Sequence, residues 1–278
     1  MSETRSGTGP YLAACDLDRT LIYSRNALWL EGTDKDAPPL VVAEVYDGAP
    51  LSYMTRAAED LLLKVAAVAT FVPVTTRTQA QYERVRLPGP VPEYAITSNG
   101  GKLLHRGVPD PQWRGHLTTQ IAAGCAPLES MEELLSNPTF SGWILRLHRA
   151  EDLFVYAIVD REVMPDAFLV ELQAECAAAG WTVSVQGRKL YCVPAPVTKS
   201  DALAEVARRT GAGTVLAAGD SLLDADMLAA ADIAFRPLHG ELHDAGYLAP
   251  NLSLTSVRGV LAGEEILRRI LAVVDAGS

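Results

Sequence analysis

The chain has 278 residues, of which 49% are hydrophobic, and a formal net charge of −10. That is enough apolar material for one large or two modest domains with real cores, while the acidic balance speaks against a generic nucleic-acid or anionic-membrane binder, since both need basic surface. No apolar run is long enough to span a bilayer.

Met1–Pro10 is polar and lacks the apolar core of a signal peptide; residues 1–9 read as a frayed tail. Cys15, Cys125, Cys176 and Cys192 are scattered, with no Cys-x-x-Cys pair, among apolar neighbours. Buried, reduced thiols and a cytoplasmic location are the expectation. The first strand is Tyr11–Cys15. It runs into Asp16-Leu17-Asp18-Arg19-Thr20, where strand alternation makes the two carboxylates, spaced by two, point the same way and sit together, with Leu17 turned away. Such a pair is stabilised by a cation or a shared proton, and oxygen-only ligands favour a hard ion such as Mg2+.

Residues 24–54 form an unusually long connection. Leu40–Tyr46, the turn Asp47-Gly48 and Pro50–Tyr53 read as a hairpin flap, either a structural insertion or a lid. Thr55 is placed to cap a helix from Arg56 to about Val68. Thr70–Val74 is the next strand and ends in Thr75-Thr76-Arg77. A short helix over Thr78 to about Val85 follows, then a strand Tyr94–Thr97 and the turn Ser98-Asn99-Gly100-Gly101.

From about Gln112 the pattern changes. Helices near Leu117–Ala123 and Ser130–Leu135 precede strands Trp143–His148 and Leu153–Asp160, a helix Pro165–Ala179, and strands Trp181–Gln186 and Lys189–Val193. This is the order of an α+β unit with a largely antiparallel sheet. After Pro196 the first pattern returns: a helix from Thr198 to Gly211, the strand Thr214–Ala218 ending in Gly219-Asp220-Ser221, a helix from Leu222 to about Ala230, a strand Asp232–Phe235, and a closing helix Gly259–Val274. The expected fold class is α/β: a doubly wound, mostly parallel Rossmann-like sheet from 10–111 and 196–278, with an inserted α+β domain at 112–195.

In such sheets ligands bind at the carboxyl ends of the strands. Asp16, Thr75 and Asp220 each follow an apolar strand and are expected to converge there, with Lys199 at a helix start and Asp224 one helical turn beyond Asp220. These are the parts that phosphoryl transfer through a carboxylate requires: a nucleophile, an acid, groups that hold phosphoryl oxygens, and metal ligands. His239 and His243 have a zinc-compatible spacing but no third ligand, and read as an exposed loop.

In order and spacing these motifs resemble the haloacid dehalogenase-like phosphatase superfamily. Asp16-Leu-Asp18-Arg-Thr20 is similar to its first motif, Thr75 to the second, Lys199 to the third and Gly219-Asp220-Ser221-Leu-Leu-Asp224 to the fourth. The insertion at 112–195 resembles the type 2 cap of the sucrose-phosphate phosphatase and phosphomannomutase-like branch. The resemblance implies that Asp16 is the nucleophile and Asp18 the general acid/base. It implies that Thr75, Thr76, Arg77, Asn99 and Lys199 surround the phosphoryl group, and that Asp16, Asp18 (through its carbonyl), Asp220 and Asp224 hold Mg2+. The implied activity is hydrolysis of a small phosphorylated metabolite such as a sugar phosphate, with a phosphomutase or a non-catalytic member of the fold as alternatives. Nothing in the sequence sets an oligomeric state. Arg19, Thr76 and Leu223 depart from the usual glycine, glycine and asparagine. In the cap, alternation puts Trp143, Leu145 and Leu147 on one face, and Arg146, His148, Gln186, Lys189 and Tyr191 become candidate substrate contacts.

Overall fold

The computed structural model describes residues 10–277. Asp110–Thr198 forms one compact unit, and the chain before and after it forms the other.

The larger unit is built on an eight-stranded sheet. Its spatial order is Leu252–Leu254, Ile233–Arg236, Thr214–Ala218, Tyr11–Asp16, Thr70–Val74, Tyr94–Thr97, Lys102–His105 and Val108–Pro109. The first six strands are parallel, and the last two add antiparallel pairs. That antiparallel edge and the Leu252–Leu254 strand were not expected from the sequence. Both are short, and the edge hairpin turns at Arg106-Gly107, with Arg106 at φ +50° and Gly107 at φ +81°.

Tyr11–Asp16 is central and buried on both faces. Ala13 and Cys15 join a core with Ala58, Leu62 and Val65 of the helix Arg56–Val68, and with Ile266, Leu267, Ile270 and Val274 of the helix Val260–Gly277. The alternate residues Leu12 and Ala14 are also fully buried, as a doubly covered parallel strand requires. Thr55 caps the first of these helices as expected, accepting from the Ala58 amide at 3.0 Å, a contact worth about 1 kcal/mol. The helix after Thr78 is a single turn, Gln79–Tyr82, shorter than its spacing predicts. The chain is drawn off by the pairing of Val85 with Glu44.

The flap is a hairpin of Leu40–Tyr46 and Ala49–Thr55, with Tyr23–Ser24 on its other edge. It is tied down by the Arg86 amide on Ala43 O at 2.7 Å and the Arg56 amide on Pro39 O at 2.8 Å.

The smaller unit has a four-stranded antiparallel sheet in the order Trp181–Gln186, Lys189–Pro194, Phe154–Val159, Ile144–Ala150. Phe168, Leu172 and Cys176 of the helix Asp166–Ala178 share its core with Met131, Leu135 and Cys192. A register shift at Ile158/Val159 breaks the alternation expected around Trp143–His148. As a result Leu145 is exposed, while Ile144 and Leu147 pack inward.

Candidate active site

Asp16 is the last residue of the central strand and is 5% exposed. Its neighbours run parallel to it in the registers Cys15↔Ala218 and Asp16↔Val74. Thr75 therefore lies one residue past Asp16's partner on one side, and Asp220 two residues past Ala218 on the other. The chain continues to one side of the central strand and later returns on the other side, the switch point at which open α/β sheets bind ligands.

The strand stops at Asp16, so strand alternation does not place Asp18. A tight loop does. Leu17 O accepts the amides of Thr20, Leu21 and Ile22 at 3.3, 2.9 and 2.8 Å, and the Arg19 amide returns to Ile22 O at 2.7 Å. Leu17 is fully buried under this loop. Arg19 takes φ +64°, the left-handed region where glycine is at ease and a side chain is strained. The loop leaves the Asp18 side chain about half exposed, at 47%, beside buried Asp16.

Lys199, first residue of the helix Lys199–Thr210, is 1% exposed. Its Nζ donates to Asp16 Oδ1 at 2.6 Å and to Asp224 Oδ1 at 2.5 Å. The other oxygen of Asp224 accepts the Asp220 amide at 3.2 Å, the Ser221 amide at 2.9 Å and the Ser221 hydroxyl at 2.8 Å. Asp224 thus folds the Gly219–Ser221 turn and presents a carboxylate to Lys199. Burial pushes Asp16 up to about 7, with Lys199 opposing and Asp224 reinforcing the rise. Burial, then Asp16 and Asp224, hold Asp220 well above the carboxylate range. Burial also disfavours the Lys199 ammonium, but the two carboxylates outweigh it and keep the ammonium charged.

Asp16, Asp220 and Asp224 each offer an oxygen within 4.8 Å of the others. Three carboxylates around one ammonium leave excess negative charge in a desolvated place, and an all-oxygen donor set suits Mg2+. Two glycines let the backbone pack directly against these carboxylates. A Cβ on Gly240 would fall 2.5 Å from Asp220 Oδ2, and one on Gly219 2.5 Å from Asp224. The residues present therefore fit a hard divalent cation.

Arg19 adds a charge of the opposite kind. Its Nε is 3.7 Å from Asp220 Oδ2, and its guanidinium lies 5.2 Å from the Trp29 ring centroid. A fixed cation there repels a divalent ion on Asp220. Arg19→Gly, at a φ that suits glycine, should bind Mg2+ about fivefold more tightly, roughly 1 kcal/mol of relieved repulsion. Calorimetric titration of Mg2+ without substrate checks this; unchanged affinity would show that the guanidinium does not act on the carboxylate cluster.

Thr75 is 1% exposed. Its amide donates to Ile96 O at 2.8 Å, its carbonyl accepts the Asn99 amide at 3.0 Å, and its Oγ1 accepts the Arg77 amide at 3.2 Å. The Ser98 amide bonds Arg77 O at 2.7 Å. The two strand ends are thus laced together, with Ser98 and Asn99 at φ +52° and +58°. Thr76 is half-buried. Arg77 grips two carboxylates. Nε and one terminal nitrogen donate to Asp18 at 2.6 and 2.8 Å, and the other donates to Glu44 at 2.8 Å.

Two residues near the site were not read from the sequence as part of it. His239 is not in an exposed loop. It is 5% exposed, its Nε2 donates to Arg19 O at 2.7 Å, and its Nδ1 accepts the Gly259 amide at 3.1 Å. Burial pulls its pKa down to about 4, so it is a neutral brace for the Asp18–Arg19 loop rather than a metal ligand. His243 is exposed. The other is Glu44, a flap residue with no exposure at all.

Within the smaller unit, the cross-strand register aligns Ser184, Tyr191, Tyr156 and His148 in one row. His148 stacks on Tyr156 at 4.8 Å, and Lys189 Nζ lies 5.7 Å from the same ring. Tyr191 is buried and packs with Phe154, and Arg146 is exposed. The Gln186 side chain lies outside the described residues.

No protein-family model matches the chain, and no curated protein does so by sequence. Solved structures do match over nearly the whole length. The sucrose-phosphatase of Synechocystis sp., in complex with sucrose and phosphate, superposes with a TM-score of 0.61 at 13% identity, over 96% of this chain and 98% of that one. A putative HAD/COF-like hydrolase from Plasmodium vivax gives 0.60 at 12% identity, over 98% and 99%. A phosphatase of the HAD superfamily from Bacteroides thetaiotaomicron gives 0.55 at 14%, over 96% and 97%. The fold is the one these haloacid dehalogenase-like hydrolases share. No helix among the described residues is long and apolar enough to cross a membrane.

Proposed function

We propose that the chain is a Mg2+-dependent phosphomonoesterase that transfers the phosphoryl group of a small phosphorylated metabolite, a sugar phosphate by analogy with its structural neighbours, to Asp16 and then to water. The observation that carries this reading is the Asp16–Lys199–Asp224 cluster with Asp220 in reach, at the strand ends where this sheet reverses order.

An Asp16 carboxylate oxygen attacks phosphorus while the bond to the ester oxygen breaks, leaving an acyl phosphate on Asp16. Asp18, as the acid, gives its proton to the departing alkoxide. As a carboxylate, Asp18 then takes a proton from water, whose oxygen attacks phosphorus and releases Asp16 and inorganic phosphate. Lys199 orients Asp16 and compensates charge on the transferring group. Held by Asp16, the Asp18 carbonyl, Asp220 and Asp224, Mg2+ would offset the repulsion between the Asp16 carboxylate and an anionic substrate. We read Asp110–Thr198 as the cap of this architecture.

Phosphate release from a panel of sugar phosphates and other phosphorylated metabolites, with Mg2+ and with EDTA, tests the proposal. Mg2+-stimulated release from at least one member of the panel is expected. A protein that hydrolyses none of them, or does so equally well in EDTA, is not this enzyme.

A further inference from the structure

The flap carries a buried carboxylate that the reaction above does not use. Glu44 has 0% exposure, in a hairpin whose flanking strand residues Val42 and Val45 are exposed. It accepts from Arg77 at 2.8 Å, from Arg84 Nε at 3.1 Å and from the Ser52 hydroxyl at 2.9 Å. Its backbone pairs with Val85, and Arg84 in turn stacks on Tyr46 at 4.6 Å. This segment is locked onto the core, which is not the construction of a lid that swings.

What Glu44 holds is the group that holds Asp18. A guanidinium is planar and presents two edges. Arg77 spends one edge on both oxygens of Asp18, at 2.6 and 2.8 Å. Its remaining nitrogen goes to Glu44 at 2.8 Å, with the Gln81 carbonyl a longer second acceptor at 3.5 Å. With both directions fixed, the plane of Arg77 is fixed, and with it the rotamer of Asp18. That rotamer needs fixing from outside, because the Asp18 side chain is 47% exposed on a loop, whereas Arg77 is 13% exposed and Glu44 not at all. Charges alternate along the row from Arg84 through Glu44 and Arg77 to Asp18.

We infer that Glu44 is a positioning residue for the general acid: the flap hairpin, through Arg77, sets the direction in which Asp18 delivers its proton to the leaving group. This rests on the phosphatase reading above.

A positioning role separates from a structural one by leaving group. An alkyl phosphate must receive a proton as its ester bond breaks, whereas a p-nitrophenyl phosphate departs as a stable anion without one. kcat/KM reports this first transfer alone. Glu44→Gln keeps the shape and removes the charge. It should lower kcat/KM for the alkyl phosphate about 10²-fold, within the range of general acid catalysis, and for the aryl phosphate by less than about threefold. In an Asp18→Asn background Glu44→Gln should cost the alkyl reaction nothing further, since the residue it positions is gone. Equal losses on both substrates, or losses that multiply with Asp18→Asn, would overturn the inference. If Glu44→Gln failed to fold, Ser52→Ala, which removes only one hydrogen bond to Glu44, should show the same selectivity at about threefold to tenfold, and equal losses there overturn it too. Asp16→Asn run alongside distinguishes the two levels. Full turnover in that variant would end the phosphoryl-transfer reading itself, whereas an inactive Asp16→Asn with an unselective Glu44→Gln would end only the role of Glu44.

Discussion

Asp16→Asn should lose phosphate release almost entirely, by about 10⁴-fold or more in kcat, because an amide oxygen does not displace an alkoxide from phosphorus and no other carboxylate occupies its place. Asp224 has one oxygen on Lys199 and the other on the 220–221 turn. Asp18 lies past the end of the strand, on a loop that leaves its side chain about half exposed. The loss should not be a loss of fold. The substitution is isosteric and removes one of three buried acids that crowd one another, so the thermal midpoint in EDTA should stay level or rise. Acid quenching of wild type during turnover should leave a phosphorylated peptide containing Asp16, absent from the variant. A variant that turns over at more than a few per cent of wild type would place the transfer elsewhere.

Much of this site can be read from the chain because its parts sit where apolar runs stop. Asp16, Thr75 and Asp220 each follow four or more strand residues, and a parallel sheet aligns such stops without further instruction. Lys199 is legible only as a helix start. Its burial between two acids comes from pairing residues 183 and 25 positions apart. Glu44 and His239 are the opposite case. Glu44 meets Arg77 across 33 residues and His239 meets Arg19 across 220, and neither distance leaves a local pattern. In sequence, a glutamate in an alternating hairpin reads as a solvated face, and a histidine next to glycine reads as a turn. Leu145 misled for a third reason. One register shift at Ile158/Val159 turns an alternation over, because the side-chain period in a strand is two. Arg77 was legible as a neighbour of the site, whereas its contacts with Asp18 and Glu44, 59 and 33 residues away, leave no local pattern.

Lys199→Met should be the most destabilising of the single changes in this cluster, and the loss should depend on Mg2+ and on pH. The ammonium is 1% exposed, with acids at 2.6 and 2.5 Å. Removing one partner of a buried ion pair costs about 3–5 kcal/mol, on the order of 10 °C in thermal midpoint for a chain of this size. What remains is three carboxylates with Arg19 as the nearest cation, so a divalent ion has more repulsion to relieve than in wild type. Mg2+ should therefore raise the variant's midpoint by more than it raises the wild type's. The sign of the pH effect follows from Asp16. Its folded pKa of about 7 lies above its ordinary value of 3.8. The metal-free fold thus favours the protonated form, and this contribution is complete below about pH 4 and lost as pH rises through 7. Without Lys199 opposing the rise, that loss deepens, so in EDTA the deficit of the variant should widen between pH 5 and pH 8. Thermal melts at those two pH values, with and without Mg2+, give the four numbers required. A deficit independent of both pH and Mg2+ would mean that Lys199 stabilises the fold by packing alone, and that the acids around it are not the charged cluster from which the reaction was derived.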